Sequence, residues 1–135
     1  MSHPYTVLNV MGPYREPKES AFSFDYSVQR HDWATPQGVR VKIAIEEELD
    51  VLKGKILQLN GGTPGQQLRI NRILAQAIGD KKLEIANEEG MFLDRRDVMI
   101  DPFIGDLAHL YPRLESWMQE NRDRLRQDIK DQVGI

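Results

Sequence analysis

The residues best suited to acid–base chemistry lie in segment 31–38. His31 precedes Asp32 there, and an imidazole titrates near neutral pH while a neighbouring carboxylate can orient it. Residues adjacent in sequence seldom face each other, however, and the sequence pairs no serine or threonine nucleophile with His31. An enzyme with a site around the 31–38 loop is therefore an alternative interpretation, and we assign no catalytic residue.

Metal and cofactor chemistry have little support in the sequence. The chain has no cysteine, which excludes thiolate zinc sites, iron–sulfur clusters and cysteine nucleophiles. Its three histidines lie far apart, at His3, His31 and His109. A run of carboxylates comprises Glu46, Glu47, Glu48 and Asp50. Hard cations prefer several carboxylate oxygens, but on a helix these side chains spread around the axis and suit its positive end. We expect neither a metal site nor a cofactor.

A glycine-rich stretch at 60–65 precedes a predicted helix. Backbone N–H groups at a helix N-terminus attract anions, so a phosphate site is one interpretation. The stretch lacks a P-loop lysine, and Thr63, Pro64 and Gln66 match a capping box with proline at the first helical position. This local capping accounts for the motif without a ligand.

Two predicted helices with a glycine-rich turn, followed by a predicted hairpin, are typical of a winged helix-turn-helix over 64–93. Its candidate nucleic-acid contacts are Arg69, Arg72, Lys81 and Lys82. The formal net charge of the chain is -3, and Glu88 and Glu89 stand at the predicted wing tip, where they would repel phosphates. A nucleic-acid-binding regulator is therefore an alternative that the charge disfavours.

Two strands are the clearest structural signal in the sequence. Apolar and polar residues alternate at 21–30 and 38–46, which is the period of a half-buried strand. A short strand is also predicted at 5–10, ended by a loop that contains Gly12, Pro13 and Pro17.

Helical periodicity follows these strands. The patterns predict helices at 47–59 and 64–78, the second ending at Gly79. A small hairpin of 83–86 with 91–93 and a strand at 98–100 come next.

The C-terminal sequence predicts a helix at 102–111 and a long helix at about 113–133. The apolar stripe of the long helix is narrow, and charged residues flank it. Because a thin stripe indicates a helix that projects from the core, we predict a homodimer with a self-association seam along this helix. The predicted seam residues are Trp117, Met118, Leu125 and Ile129.

Composition and pattern together predict one α+β domain over residues 1–135, with a mainly antiparallel sheet, two central helices packed on one face and a long C-terminal helix. The chain is 40% hydrophobic and 29% charged, an ordinary globular composition. It contains no apolar run long enough for a bilayer, so we expect a soluble, cytoplasmic protein. The lack of a catalytic motif favours a non-enzymatic protein–protein interaction module, a small regulatory adaptor, chaperone or inhibitor that binds another protein.

Overall fold

A four-stranded sheet forms one layer of the fold. The computed structural model describes residues 5–16, 21–44, 49–59, 61–90, 97–100 and 110–135. The strands are β1 (Tyr5–Glu16), β2 (Ala21–Arg30), β3 (Gln37–Ala44) and β4 (Asp97–Ile100), and they follow each other in that order across the sheet. β1, β2 and β3 are antiparallel, whereas β4 runs parallel to β3. The mainly antiparallel sheet predicted from the sequence is confirmed.

The alternation along β2 and β3 places one row of side chains in the core. Phe24, Val28 and Val41 are fully buried and belong to one hydrophobic cluster with the helices. The opposite row is polar, and Asp25 pairs there with Arg40 across the strands at 2.7 Å. We call the face that carries Phe24 the inner face and the face that carries Asp25 the outer face. Both predicted strands are present, although residues 45–46 lie outside the described residues.

β1 is longer than the sequence predicted. It continues through Gly12 and Pro13 to Glu16, whereas the predicted strand ended near residue 10. Proline lacks a donor but is tolerated on an edge strand. Gly12 has a φ of 131°, and a Cβ at this position would lie 2.8 Å from the Ser23 carbonyl oxygen, so the backbones approach closely here. The pairing with β2 shifts register twice, between Val7 and Asn9 and between Met11 and Tyr14.

The helix predicted at 47–59 is present as a π-helix, Val51–Leu57. Its predicted apolar stripe is buried, and the stripe comprises Leu49, Leu52, Ile56 and Leu59. The helix ends at Gln58, which adopts the left-handed conformation with a φ of 55°. Residues 47 and 48 lie outside the described residues.

Helix α1 (Pro64–Glu88) begins with the predicted capping box. The Gln66 backbone N–H donates to the Thr63 hydroxyl at 3.2 Å, and the Thr63 backbone N–H donates to Gln66 Oε1 at 2.8 Å. These two bonds satisfy donors that have no partner within the first turn of a helix. The predicted capping box is thereby confirmed.

The end of α1 differs from the prediction. The helix passes through Gly79, and the strand predicted at 83–86 is wrong because these residues form the last turns of α1. Gly79 marks a close approach to the sheet instead of a helix end, since a Cβ there would lie 2.9 Å from the Tyr26 hydroxyl oxygen. The other predicted hairpin strand, 91–93, lies outside the described residues.

The predicted C-terminal helix is two helices, α2 (Leu110–Glu120) and α3 (Arg122–Val133). Asn121 separates them, and its side-chain amide donates to the Trp117 carbonyl at 2.9 Å. Such a side-chain bond to the backbone competes with helix continuation. Most of the helix predicted at 102–111 lies outside the described residues. Among the described helices, none combines the length and the apolar content that a bilayer crossing requires.

Candidate interaction surface

The structure buries most of the predicted self-association seam in the core of the monomer. Met118 is fully buried, Ile129 is 1% exposed and Leu125 is 7% exposed. Trp117 is half-buried, packs against the same core and has the Lys81 ammonium 5.8 Å from its ring centre. The apolar stripe of α2 and α3 is narrow because it fits against α1 and the π-helix, so it leaves no apolar seam for a second chain.

The predicted nucleic-acid contacts do not form one basic surface. Lys82 is fully buried, and its ammonium donates to the Lys42 carbonyl at 2.6 Å. Arg69 donates to the Gln132 carbonyl at 2.8 Å, and Lys81 pairs with Glu84 at 3.2 Å. Arg72 is exposed. Lys82 is therefore a core residue, and the prediction that it contacts nucleic acid is wrong.

The loop at 31–36 is a tight turn. Its backbone is held by the Trp33 N–H, which donates to the Arg30 carbonyl at 3.0 Å, and by Gln29, which donates to the Trp33 carbonyl at 2.8 Å. Asp32 pairs with the buried Arg30 guanidinium, which lies 5.4 Å from the Trp33 ring centre. His31 is exposed. Asp32 thus holds a structural arginine and does not orient the imidazole.

A partly buried polar network joins α1 to the sheet. The Tyr26 hydroxyl donates to Asp80 Oδ1 at 2.7 Å, and the Gln76 amide donates to the Tyr26 hydroxyl oxygen at 3.1 Å. Burial and the hydrogen bond to Asp80 raise the pKa of Tyr26. Burial, with the nearby Glu84, Asp80 and Glu88 carboxylates, raises the pKa of Tyr5 to about 12. Both phenols therefore stay protonated near neutral pH, and the Tyr26 hydroxyl acts as a structural donor to Asp80.

Shallow clefts run along the flank of α1. One of about 390 Å³ lies between α1 and α2 and includes Lys81, Arg113 and Trp117. Another of about 400 Å³ lies beside Gln76 and Asp80. Their linings mix polar and apolar groups without a nucleophile paired to a base. Within the part of the chain that the structure describes, no three His, Asp or Glu side chains lie close enough together to hold a metal ion.

The edge strand β1 carries the main exposed apolar surface. Seven large apolar side chains are exposed among the described residues, and five of them are on this strand. These five are Val7 (40% exposed), Leu8 (55%), Val10 (36%), Met11 (53%) and Tyr14 (41%). The other two, Leu68 and Ile135, lie elsewhere. Because β1 is the first strand in the sheet order, no described strand pairs with the edge of β1 that points away from β2.

The register of β1 against β2 assigns these side chains to faces. Directly opposed residues of an antiparallel pair lie on the same face. Val10 is opposite Tyr26 on the inner face, and Met11 is opposite Asp25 on the outer face. Arg15 and Glu16, at the end of β1, are the charged residues of the strand. The strand therefore carries exposed apolar side chains on both faces, which is unusual for an edge that no described strand pairs with.

Sequence reasoning missed this surface because periodicity predicts a strand but not its position in the sheet. Residues 5–10 were predicted as a strand, yet Met11 and Tyr14 fell in a predicted loop. The available signal was a segment rich in apolar residues that do not alternate strictly with polar ones. No protein-family model matches the chain, and no curated protein or solved structure is similar to it. The functional assignment consequently depends on the surface of the chain itself.

Proposed function

We propose that this chain is a non-enzymatic protein–protein interaction module, a small adaptor, chaperone or inhibitor, that presents β1 to another protein chain. The observation that carries the proposal is the concentration of exposed apolar side chains on one edge strand. Contiguous exposed apolar surface marks interaction sites in folded proteins. An open strand edge adds main-chain donors and acceptors that an extended segment of a partner can pair with.

The chemistry of β1 suits an extended, apolar partner segment. Alternate side chains of an added strand would lie on the inner and outer faces, beside Val10 and Met11 respectively. The backbone N–H and C=O groups along the strand edge would supply affinity that does not depend on the partner's sequence. The apolar side chains would supply selectivity. The enzyme and nucleic-acid alternatives have less support, because His31 is in a tight exposed turn and Lys82 is in the core.

A pull-down from lysate with three immobilised proteins, the native chain and two variants, tests the proposal. The native chain is compared with a Leu8→Lys/Met11→Lys variant, whose two positions are about half exposed, so the fold should tolerate the change. A Leu68→Lys/Ile135→Lys variant is the control, since it places the same charges on exposed apolar positions away from β1. Lysate of the source organism is treated with nuclease and washed at high salt, and retained proteins are quantified by mass spectrometry.

The expected result is one or a few proteins retained by the native chain and by the control but lost with the β1 variant. Circular dichroism melts establish that all three proteins are folded. Equal retention by the native chain and the β1 variant would contradict the proposal. Retention that nuclease abolishes would favour the nucleic-acid alternative instead.

A further inference from the structure

The register of β1 points to a second copy of this chain as an occupant of the edge. We propose that two copies pair antiparallel through β1 about a two-fold axis at Val10, which joins two four-stranded sheets into one continuous sheet. The inference rests on the proposed function only in taking β1 as the interaction strand. It replaces the helical seam predicted from the sequence.

The side-chain faces of β1 are self-complementary in this register. With Val10 opposite Val10 of the second copy, counting outward from the axis gives five further pairs within β1, and in three of them the register with β2 assigns a face to both residues. These three are Asn9 with Met11, Thr6 with Tyr14, and Tyr5 with Arg15. Asn9, Met11, Thr6 and Tyr14 are all outer-face residues, because they are opposite Ser27, Asp25, Gln29 and Ser23. Tyr5 and Arg15 are both inner-face residues, because they are opposite Arg30 and Phe22.

Registers shifted by one residue lack this agreement. A shift of one residue would pair inner-face Val10 with outer-face Met11, whereas opposed side chains of an antiparallel pair share a face. The two register shifts of β1 lie on either side of Val10, one between Val7 and Asn9 and one between Met11 and Tyr14. In the Val10-centred register, the irregular segment at residue 8 of one copy is opposite that at residue 12 of the other, so each local distortion lies beside its counterpart.

The charges of the strand also favour antiparallel pairing. Arg15 is near one end of β1, so a parallel arrangement would place it beside Arg15 of the second copy. The antiparallel arrangement places it beside Tyr5 of the second copy instead. There Asp80, Glu84 and Glu88 of α1 all act electrostatically on the Tyr5 hydroxyl, whereas Arg30, which is opposite Tyr5 on β2, is paired with Asp32. An arginine approaching this end of the strand would meet opposite charge.

The size of the edge predicts a weak dimer. A strand of 12 residues is about 40 Å long, and a sheet edge about 10 Å thick would then offer roughly 400 Å² per copy. This area is below the roughly 800 Å² per partner of a standard interface. The dimer should therefore dissociate on dilution.

Cysteine cross-linking tests the register directly, because the native chain has no cysteine. Val10→Cys places a thiol opposite itself across the axis, and opposed residues of an antiparallel pair have Cα and Cβ separations that suit a disulfide. Leu68→Cys is the control, since this position has similar exposure but lies on α1. Both variants are oxidised mildly and analysed on non-reducing gels, and the native chain is followed by sedimentation velocity over a concentration series.

The expected result is a native mass that rises toward twice the chain mass with concentration, together with disulfide formation by Val10→Cys at least tenfold faster than by Leu68→Cys. Asn9→Cys/Met11→Cys should also cross-link, because these two positions are opposite each other. A monomer at every concentration overturns the inference, and so does a dimer in which Val10→Cys reacts no faster than the control. If the native chain is monomeric but the Leu8→Lys/Met11→Lys variant still loses its captured protein, the second-copy inference fails while the proposed function stands. The opposite pattern is a native chain that dimerises through β1 while the variant still captures the same protein. It would support the dimer and contradict the proposed function.

Discussion

Replacing Gly79 with alanine should destabilise the protein, although the same change stabilises most helices. The new Cβ would lie 2.9 Å from the Tyr26 hydroxyl oxygen, 3.4 Å from Phe24 Cδ2 and 3.5 Å from Ile43 Cδ1. The hydroxyl cannot move aside freely, because it donates to Asp80 at 2.7 Å. Overpacking of a core costs about 1–3 kcal/mol, and alanine regains about 1 kcal/mol of helix propensity. We expect a net loss of about 1 kcal/mol in the free energy of unfolding.

Gly54→Ala is the matched control for this prediction. A Cβ at Gly54 in the π-helix has nothing within 4 Å, so this change should stabilise the protein by up to about 1 kcal/mol. Urea unfolding followed by circular dichroism measures both changes. For a chain of this size, 1 kcal/mol corresponds to a shift of about 4 °C in the melting temperature.

A double-mutant cycle identifies the contact that is responsible. In a Tyr26→Phe background the hydroxyl oxygen is absent, so the cost of Gly79→Ala should fall or change sign. If Gly79→Ala stabilises the native chain as much as Gly54→Ala does, α1 does not approach the sheet at this point. Close approach to the Tyr26 hydroxyl would then not be the reason for a glycine at position 79.

Four further outcomes are expected. Thr63→Ala removes the capping box and should lower the melting temperature through a loss of about 1 kcal/mol; an unchanged value would argue against the cap. The contribution of Tyr5 and Tyr26 to the free energy of unfolding should be constant below pH 10 and fall as pH rises toward 12 and above, because burial raises the folded-state pKa of both groups and the unfolded chain then releases their protons first. Urea unfolding over this alkaline range measures the decline, and Tyr26→Phe should flatten it. Lys82→Met should cost about 1–3 kcal/mol in urea unfolding, since it leaves a buried carbonyl without its charged donor, and a neutral result would contradict the burial of the ammonium. Ile129→Ala should cost about 2–5 kcal/mol and leave the sedimenting mass unchanged, whereas a halved mass with unchanged stability would restore the helical seam.

The features that the sequence predicts well are those set by local pattern. The alternation in β2 and β3 fixes which side chains face the core, because period two admits only one inward row. The capping box at Thr63 is likewise a contact between residues three apart, and the structure forms both of its hydrogen bonds. The stripe Leu49, Leu52, Ile56 and Leu59 is buried even though the segment winds as a π-helix, since either helix gathers these residues on one side.

The errors arise where tertiary contacts decide the role of a residue. A glycine after an amphipathic stretch is typical of a helix end, but Gly79 is required by the approach of α1 to Tyr26, which lies 53 residues earlier in the chain. The prediction of a basic patch that includes Lys82 failed in the same way. Nothing in the local sequence indicates that the Lys82 ammonium reaches the β3 backbone. Such contacts join residues far apart in sequence and leave no periodic signal.

The contrast between α3 and β1 shows why a narrow apolar stripe does not by itself indicate a self-association seam. A narrow apolar stripe suits either a projecting helix or a helix set into a crevice, and in this chain Leu125, Ile129 and Val133 are all buried in the monomer. In β1 the apolar residues follow no simple period, and yet they remain exposed.

An exposed strand edge of this length has to be limited in what it pairs with, or it promotes open-ended association. The two register shifts of β1 allow regular pairing only in short stretches, and the charges at its end oppose parallel pairing. β4, at the other end of the described sheet, has only four residues, which is too short to serve as a second long edge. Pairing of β1 with β1 would therefore use the one long edge of each copy and close the assembly at two, whereas a β1-to-β4 contact would extend it without limit.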